Sequence, residues 1–278
     1  MNSIHSYDFK SNIIAGDYLC PNEVANPKIE SRRNMILSKV DARDLSHVFE
    51  SSPEYDYGGI TALVAYFQYI FLVSGDFLIK METVPNLKIL KAIDGYSNTN
   101  LIAGADGHHI FVINNGELIK LDFELERVRL PGDAENTGWD NARLMDGAGD
   151  HLYIVEKKNL IQVDAITIRE VNRDRKNDWT DATLLTVPGD GFLYIFRNDE
   201  LFKLFQYTLE YFYKSGEWES ATGLNGDGRT LYLINNGELF AVNGNTLERD
   251  DSVPPGAHKE NVTLISSWLA YVFYVEND

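Results

Sequence analysis

Cysteine is almost absent. Cys20 is the single one in 278 residues, which excludes an internal disulfide framework and any multi-cysteine zinc site. Positive charge is scarce too: 25 Lys and Arg face 42 Asp and Glu, a formal charge of −17. A field of that sign is unsuited to nucleic acid, whose phosphates need Lys and Arg, and to anionic membrane surfaces. Long apolar runs are also missing. The most hydrophobic stretch, 60–73, is 14 residues long and contains Gln68, whereas a membrane helix needs about 18 or more, so no membrane insertion is expected. The start of the chain has no basic region followed by an apolar core, so the expectation is a cytoplasmic protein, with signal-less export left open.

Chemical motifs are equally sparse. The sequence has no Gly-x-Ser-x-Gly, no Walker loop and no paired-carboxylate motif that stands out from its 42 acids. Cys20 has no identifiable histidine partner. His5, His47, His108, His109, His151 and His258 form no metal-spaced set. The expectation is a protein that is not an enzyme, with no catalytic residues, no cofactor and no metal.

What is present is a repeat. The hexapeptide Ile-Asn-Asn-Gly-Glu-Leu occurs at 113–118 and again at 234–239. Around it run short apolar segments anchored by Phe71, Phe111, Tyr153, Tyr194, Tyr232 and Tyr271, about 40 residues apart. Each is rich in aromatic and β-branched residues and bounded by Gly, Asp and Asn, so each reads as a strand. A shorter run precedes it, a segment with alternating character follows, and a more polar one comes last, as in Thr208-Leu209-Glu210. Four strands per unit of about 40 residues make a β-propeller blade, and long stretches of helical period are missing.

The fold class expected is therefore all-β: one propeller over 1–278, most simply of seven blades, with six as the fallback. Residues 1–11 would supply the closing strand, because Ile4–Phe9 resembles the third strand Leu118–Phe123. Residues 12–57 would be a degenerate blade, in which Val40-Asp41-Ala42 echoes Val163-Asp164-Ala165, and 58–278 the clear repeats.

Three units open with Trp-x-x-Ala: Trp139-Asp140-Asn141-Ala142, Trp179-Thr180-Asp181-Ala182 and Trp218-Glu219-Ser220-Ala221. With the Leu-Tyr-x-Ile and Thr-Leu-Glu segments, this resembles the tectonin/tachylectin-type propeller repeats over most of 58–278. Tyr57 and His258 stand where two further tryptophans would be. The resemblance implies a non-enzymatic disc that binds sugar or protein.

On propeller topology, the loop into each blade and its second hairpin share one face. Trp139, Trp179 and Trp218 would then lie beside Asn114, Asn115, Asn198, Asp199, Asn235 and Asn236. An aromatic surface next to amides and carboxylates suits a pyranose. The same residues also have structural uses, the tryptophans as packing between blades and Asn-Asn-Gly as a hairpin turn. The function expected is thus a carbohydrate-binding, lectin-like propeller with a glycan partner; the alternative is a protein-binding propeller whose −17 charge attracts a basic protein, as an inhibitor or immunity-type protein would. Asp106, Asp150, Asp190 and Asp227 recur before the second strand, where turn chemistry accounts for them.

Overall fold

The computed structural model describes residues 35–50, 59–83, 87–130, 136–216, 218–256, 262–268 and 271–277. All of them lie in the unit Arg33–Asp278. Among the described residues there are strands and no helix, so no helix is long and apolar enough to cross a membrane. Ile4–Phe9, Cys20, Tyr57 and His258 lie outside the described residues.

In chain order the strands are β1 (Met35–Asp41), β2 (His47–Glu50), β3 (Ile60–Tyr66), β4 (Tyr69–Ser74), β5 (Phe77–Glu82) and β6 (Ile89–Ile93). Next come β7 (Thr99–Ala105), β8 (His109–Asn114), β9 (Glu117–Asp122), β10 (Ala142–Ala148), β11 (His151–Glu156), β12 (Asn159–Asp164) and β13 (Arg169–Asp174). Then follow β14 (Ala182–Thr186), β15 (Phe192–Arg197), β16 (Glu200–Phe205), β17 (Tyr211–Ser215), β18 (Ala221–Asp227), β19 (Thr230–Asn235) and β20 (Glu238–Asn243). The last are β21 (Val262–Trp268) and β22 (Tyr271–Asn277).

These strands form six antiparallel sheets. Four have four strands: β3–β6, β10–β13, β14–β17, and the sheet β2-β1-β22-β21. Two have three, β7–β9 and β18–β20, where the fourth strand shrinks to the single bridges Leu121↔Arg127 and Val242↔Arg249. The first strands follow one another in space, β3, β7, β10, β14, β18 and β21, and β21 lies beside β3. The second strands are apolar throughout because sheets pack against both of their faces; β11, for example, is buried at its four central positions. The outer strands are the more exposed ones: β13 is polar and largely exposed, while β17 and β6 expose apolar and aromatic side chains, among them Tyr211, Phe212, Ile89 and Leu90.

Two placements differ from the sequence reading. Strand β22 pairs along its length with Met35–Asp41, so β1 takes the position expected for Ile4–Phe9, and β2 lies beyond it. The echo between Val40-Asp41-Ala42 and Val163-Asp164-Ala165 is real, since both enter the same turn: the Leu45 N–H donates to Asp41 O as the Ile168 N–H donates to Asp164 O. Those residues nevertheless build the third strand of the last sheet. The sixth anchor is Phe273, not Tyr271. The anchors are third in their strands, and Phe273 is fully buried opposite Ser266, whereas Tyr271 opens β22 and is half-buried.

The anchors face a second repeated position on the third strands. Lys39 pairs with Phe273, Lys80 with Phe71, Lys120 with Phe111, Gln162 with Tyr153, Lys203 with Tyr194 and Ala241 with Tyr232. The four lysines are buried. Each reaches the next sheet: Lys39 donates to Thr83 O at 3.0 Å, Lys120 to Ala165 O at 3.0 Å and Lys203 to Gly244 O at 2.6 Å, while Lys80 meets the Glu124 carboxylate at 3.2 Å. Their stems fill the space between sheets and their ammonium groups latch it. Burial lowers the Lys203 pKa below its ordinary value, a sign that the charge itself is held at a cost. Gly244 O also lies 3.1 Å from the Tyr194 hydroxyl, whose single proton goes to Asp190 Oδ2 at 2.7 Å, so the Lys203 ammonium is the donor this carbonyl relies on. Urea titration should find Lys203→Met about 1–2 kcal/mol less stable than the parent, for the carbonyl it leaves without a donor, and Lys203→Ala about 3 kcal/mol less stable.

Candidate functional site

The C-terminal ends of the six first strands converge on a cavity of about 290 Å³, with Tyr66, Gly104, Asp146, Pro188, Asn225 and Ser267 on its wall. The turns after those strands form its mouth. They are stitched together: the Asp106 N–H donates to Gly149 O at 2.6 Å, the Gly228 N–H to Pro188 O at 2.9 Å, and the Gly107 N–H to the Tyr66 hydroxyl at 3.0 Å. Small residues let the strands approach. A Cβ at Gly147 would lie 2.5 Å from Gly104 O, and one at Gly104 would lie 2.3 Å from the Tyr66 ring.

Opposite the anchors, the first strands carry Val64, Ala103, Asp146, Thr186, Asn225 and Ser266. The polar ones bridge to the next sheet. The Ser266 hydroxyl accepts from the Ala65 N–H at 2.7 Å, and Asn225 Oδ1 from the Ser267 N–H at 2.8 Å and its hydroxyl at 2.6 Å. Asp146 Oδ2 accepts from the Val187 N–H at 2.8 Å and the Thr186 hydroxyl at 3.1 Å, and its Oδ1 from the Gly147 N–H at 2.8 Å. Among the described residues no cation pairs with Asp146. Its depth in the molecule pushes the carboxyl up to about 6, against three hydrogen bonds that pull it down. The cavity keeps it in reach of solvent.

At the rim stands Phe67, 38% exposed, its ring edge-on to Tyr66 at 5.0 Å and to Phe123 at 5.7 Å. Its φ is +55°, in the left-handed region. The same place in the two-residue turns after β10 and β18 is taken by Gly149 and Gly228, at φ +55° and +59°. A turn that elsewhere uses glycine here holds an aromatic residue.

The tryptophans expected to bind a sugar are placed differently. Trp179 is 1% exposed, its indole N–H on Asp174 Oδ2 at 2.9 Å; Trp218 is 5% exposed, its indole N–H on Leu247 O at 3.1 Å. Neither offers a ring face to solvent. Trp139 is half-buried against the neighbouring core. The Trp-x-x-Ala motif is a turn: the Ala142 N–H donates to Trp139 O and the Ala182 N–H to Trp179 O, both at 3.0 Å. The tryptophan N–H groups tie that turn to the hairpin before it, Trp139 to Gly116 O and Trp179 to Lys158 O.

Of the turn residues, Asn115, Asn198, Asp199 and Asn236 are exposed at positive φ, as the turns require. The Asn98 amide donates to Asn115 Oδ1, and the Ser220 N–H to Asp199 Oδ1. Asn114 is buried and donates to Gly95 O, while Asn235 is half-buried; their Oδ1 atoms lack a partner among the described residues.

Two of the repeated aspartates serve their turns, Asp106 accepting from the His108 N–H and Asp190 from the Phe192 N–H. Asp106 binds Lys120 and His109, and Asp190 accepts from the Tyr194 hydroxyl at 2.7 Å. Among the described residues no three metal-binding side chains come together. Asp146 and Phe67 were missed from sequence. Their signal is departure from the repeat: the one charged residue in its aligned column, and the one aromatic where the matching turns have glycine.

No protein-family model matches the sequence, and no curated protein matches it. Solved structures match by fold. The WD40 domain of Neurospora crassa Pan2 is similar at a TM-score of 0.56 and 10% identity, over 88% of this chain and 83% of that one. The computationally designed Ika8 protein is similar at 0.50 and 12%, over 84% and 75%. BamB from Moraxella catarrhalis aligns at 0.47 and 12%, over 89% and 92%. None of these carries the tectonin/tachylectin resemblance further. WD40 domains are β-propellers, and the chain has a β-propeller-like repeat fold.

Proposed function

We propose that the chain is a non-enzymatic binding protein, six blades in a ring closed where β1 and β2 complete the sheet of β21 and β22. Its acidic face, the one bearing the cavity mouth, receives a basic protein partner. The distribution of charge supports this. On the turns of that face Asp44, Glu126 and Asp150 are exposed, Glu124 is exposed and paired with Lys80, and Lys88 and Arg229 are exposed cations beside them, while the ammonium groups of Lys39, Lys120 and Lys203 are turned into the interior. Arg43 there is paired with Asp41, whose carboxyl it holds down at about 2. A surface so sorted steers a basic partner and speeds association.

The test is salt-dependent binding to a partner captured from native extract, then purified. The triple variant Glu124→Lys/Glu126→Lys/Asp150→Lys should weaken binding by about tenfold or more at low salt, and Asp199→Lys/Glu219→Lys on the other face should not. Equal binding by the triple variant would defeat the proposal. The exposed amides and half-buried Trp139 keep a carbohydrate reading alive for that other face; a glycan-array signal abolished by Trp139→Ala would favour it.

A further inference from the structure

Two departures from the repeat meet at one cavity, and both go against what the local structure asks for. Asn225, in the column of Asp146, makes the same bridge to the next sheet without a charge. The carboxylate of Asp146 is therefore not needed for the bridge, and it stands on the cavity wall with no cation among the described residues. Phe67 occupies a left-handed turn position that the matching turns give to glycine, and with Tyr66 it lines the same cavity. An anion at depth and aromatic rings at the rim are the two features that recognise an organic cation.

We propose that the cavity takes one alkylammonium or guanidinium group, a lysine or arginine side chain of the basic partner, with Asp146 as counter-ion and Phe67 and Tyr66 against its stem. This rests on the reading of the acidic face as the partner-binding surface and gives that surface its anchor. A cavity of about 290 Å³ admits one such side chain and excludes a folded segment. A single long side chain filling a central pocket is also the usual form of an interface hot spot.

The probes are agmatine, a dication with a guanidinium at one end and an ammonium at the other, either of which can enter the cavity, and butylurea, of similar length and no charge. Agmatine should bind the intact chain saturably at about 1–10 mM, read by isothermal titration or by NMR shifts, and butylurea should not. Asp146→Asn should weaken agmatine by about tenfold or more, and Phe67→Gly, which suits the turn but gives up the ring contacts with Tyr66 and Phe123, should weaken it too. Both variants should weaken the purified partner as well. No saturable agmatine binding, equal butylurea binding, or agmatine affinity unchanged in Asp146→Asn would each overturn the proposal. If those results came while the Glu124/Glu126/Asp150 variant still lost the partner, the acidic face would stand without the pocket. A partner indifferent to that triple variant would remove the face itself.

Discussion

Trp179→Ala will lower the free energy of unfolding by about 4 kcal/mol, measured by urea titration at neutral pH. Trp179 is among the largest fully buried side chains, set between Phe202 at 5.8 Å and the Arg197 guanidinium at 5.0 Å. Truncation empties that space, and the surrounding strands, held by ladders on both sides, relax into it only in part. It also takes a donor from Asp174, which gathers the loop before β14 by accepting from the Lys176 and Asn177 N–H groups and the Asn177 amide. Trp179→Phe keeps most of the packing and loses only the indole N–H, so about half the effect is expected. A tryptophan whose work was to stack on a sugar would show the reverse, unchanged stability and lost binding.

Much of the fold is legible in the sequence because its signal is periodic. Four strands per unit, aromatic anchors and Asn-Gly turns each repeat, and repetition raises a weak local preference above chance. What misled was the use of one signal for two purposes. Trp-x-x-Ala repeats because a turn must be tied to the previous hairpin, and the tryptophan repeats with it as core, and a repeated tryptophan in sequence suits packing and sugar binding equally. The end of the chain misled in another way. Tyr271 and Phe273 are both aromatic, and only the pairing of β21 with β22 shows that the second is the anchor. The closing strand is a long-range pairing of β1 with β22, and no local pattern distinguishes it from a similar strand nearer the start. The cavity was readable in a different sense. Its residues break the repeat, so they become visible only once the units are aligned by their ladder registers, which the apolar pattern alone does not give.

Asp146→Asn will stabilise the protein above pH 6 and leave it unchanged near pH 4. The carboxyl titrates at about 6 in the folded chain against an ordinary 3.8. Between those values the folded state binds more protons than the unfolded state, so stability falls as pH rises through this window and levels off above it. The full loss amounts to about 3 kcal/mol, and asparagine, which never ionises, escapes it. The groups packed against Asp146 do not alter the sign. Strand β14 offers the Thr186 hydroxyl and the Val187 N–H, both donors. Opposite on β11 is Tyr153, whose burial raises its phenol pKa and keeps it neutral throughout. Asn225 shows that an amide makes this bridge. Chemical denaturation of both proteins at pH 4, 6 and 8 would measure the difference as a curve. A flat curve would mean that Asp146 already has a counter-charge in the free protein. A rising one, with agmatine affinity lost in the same variant, would mean that the fold gives up stability at this residue and that the bound cation returns it.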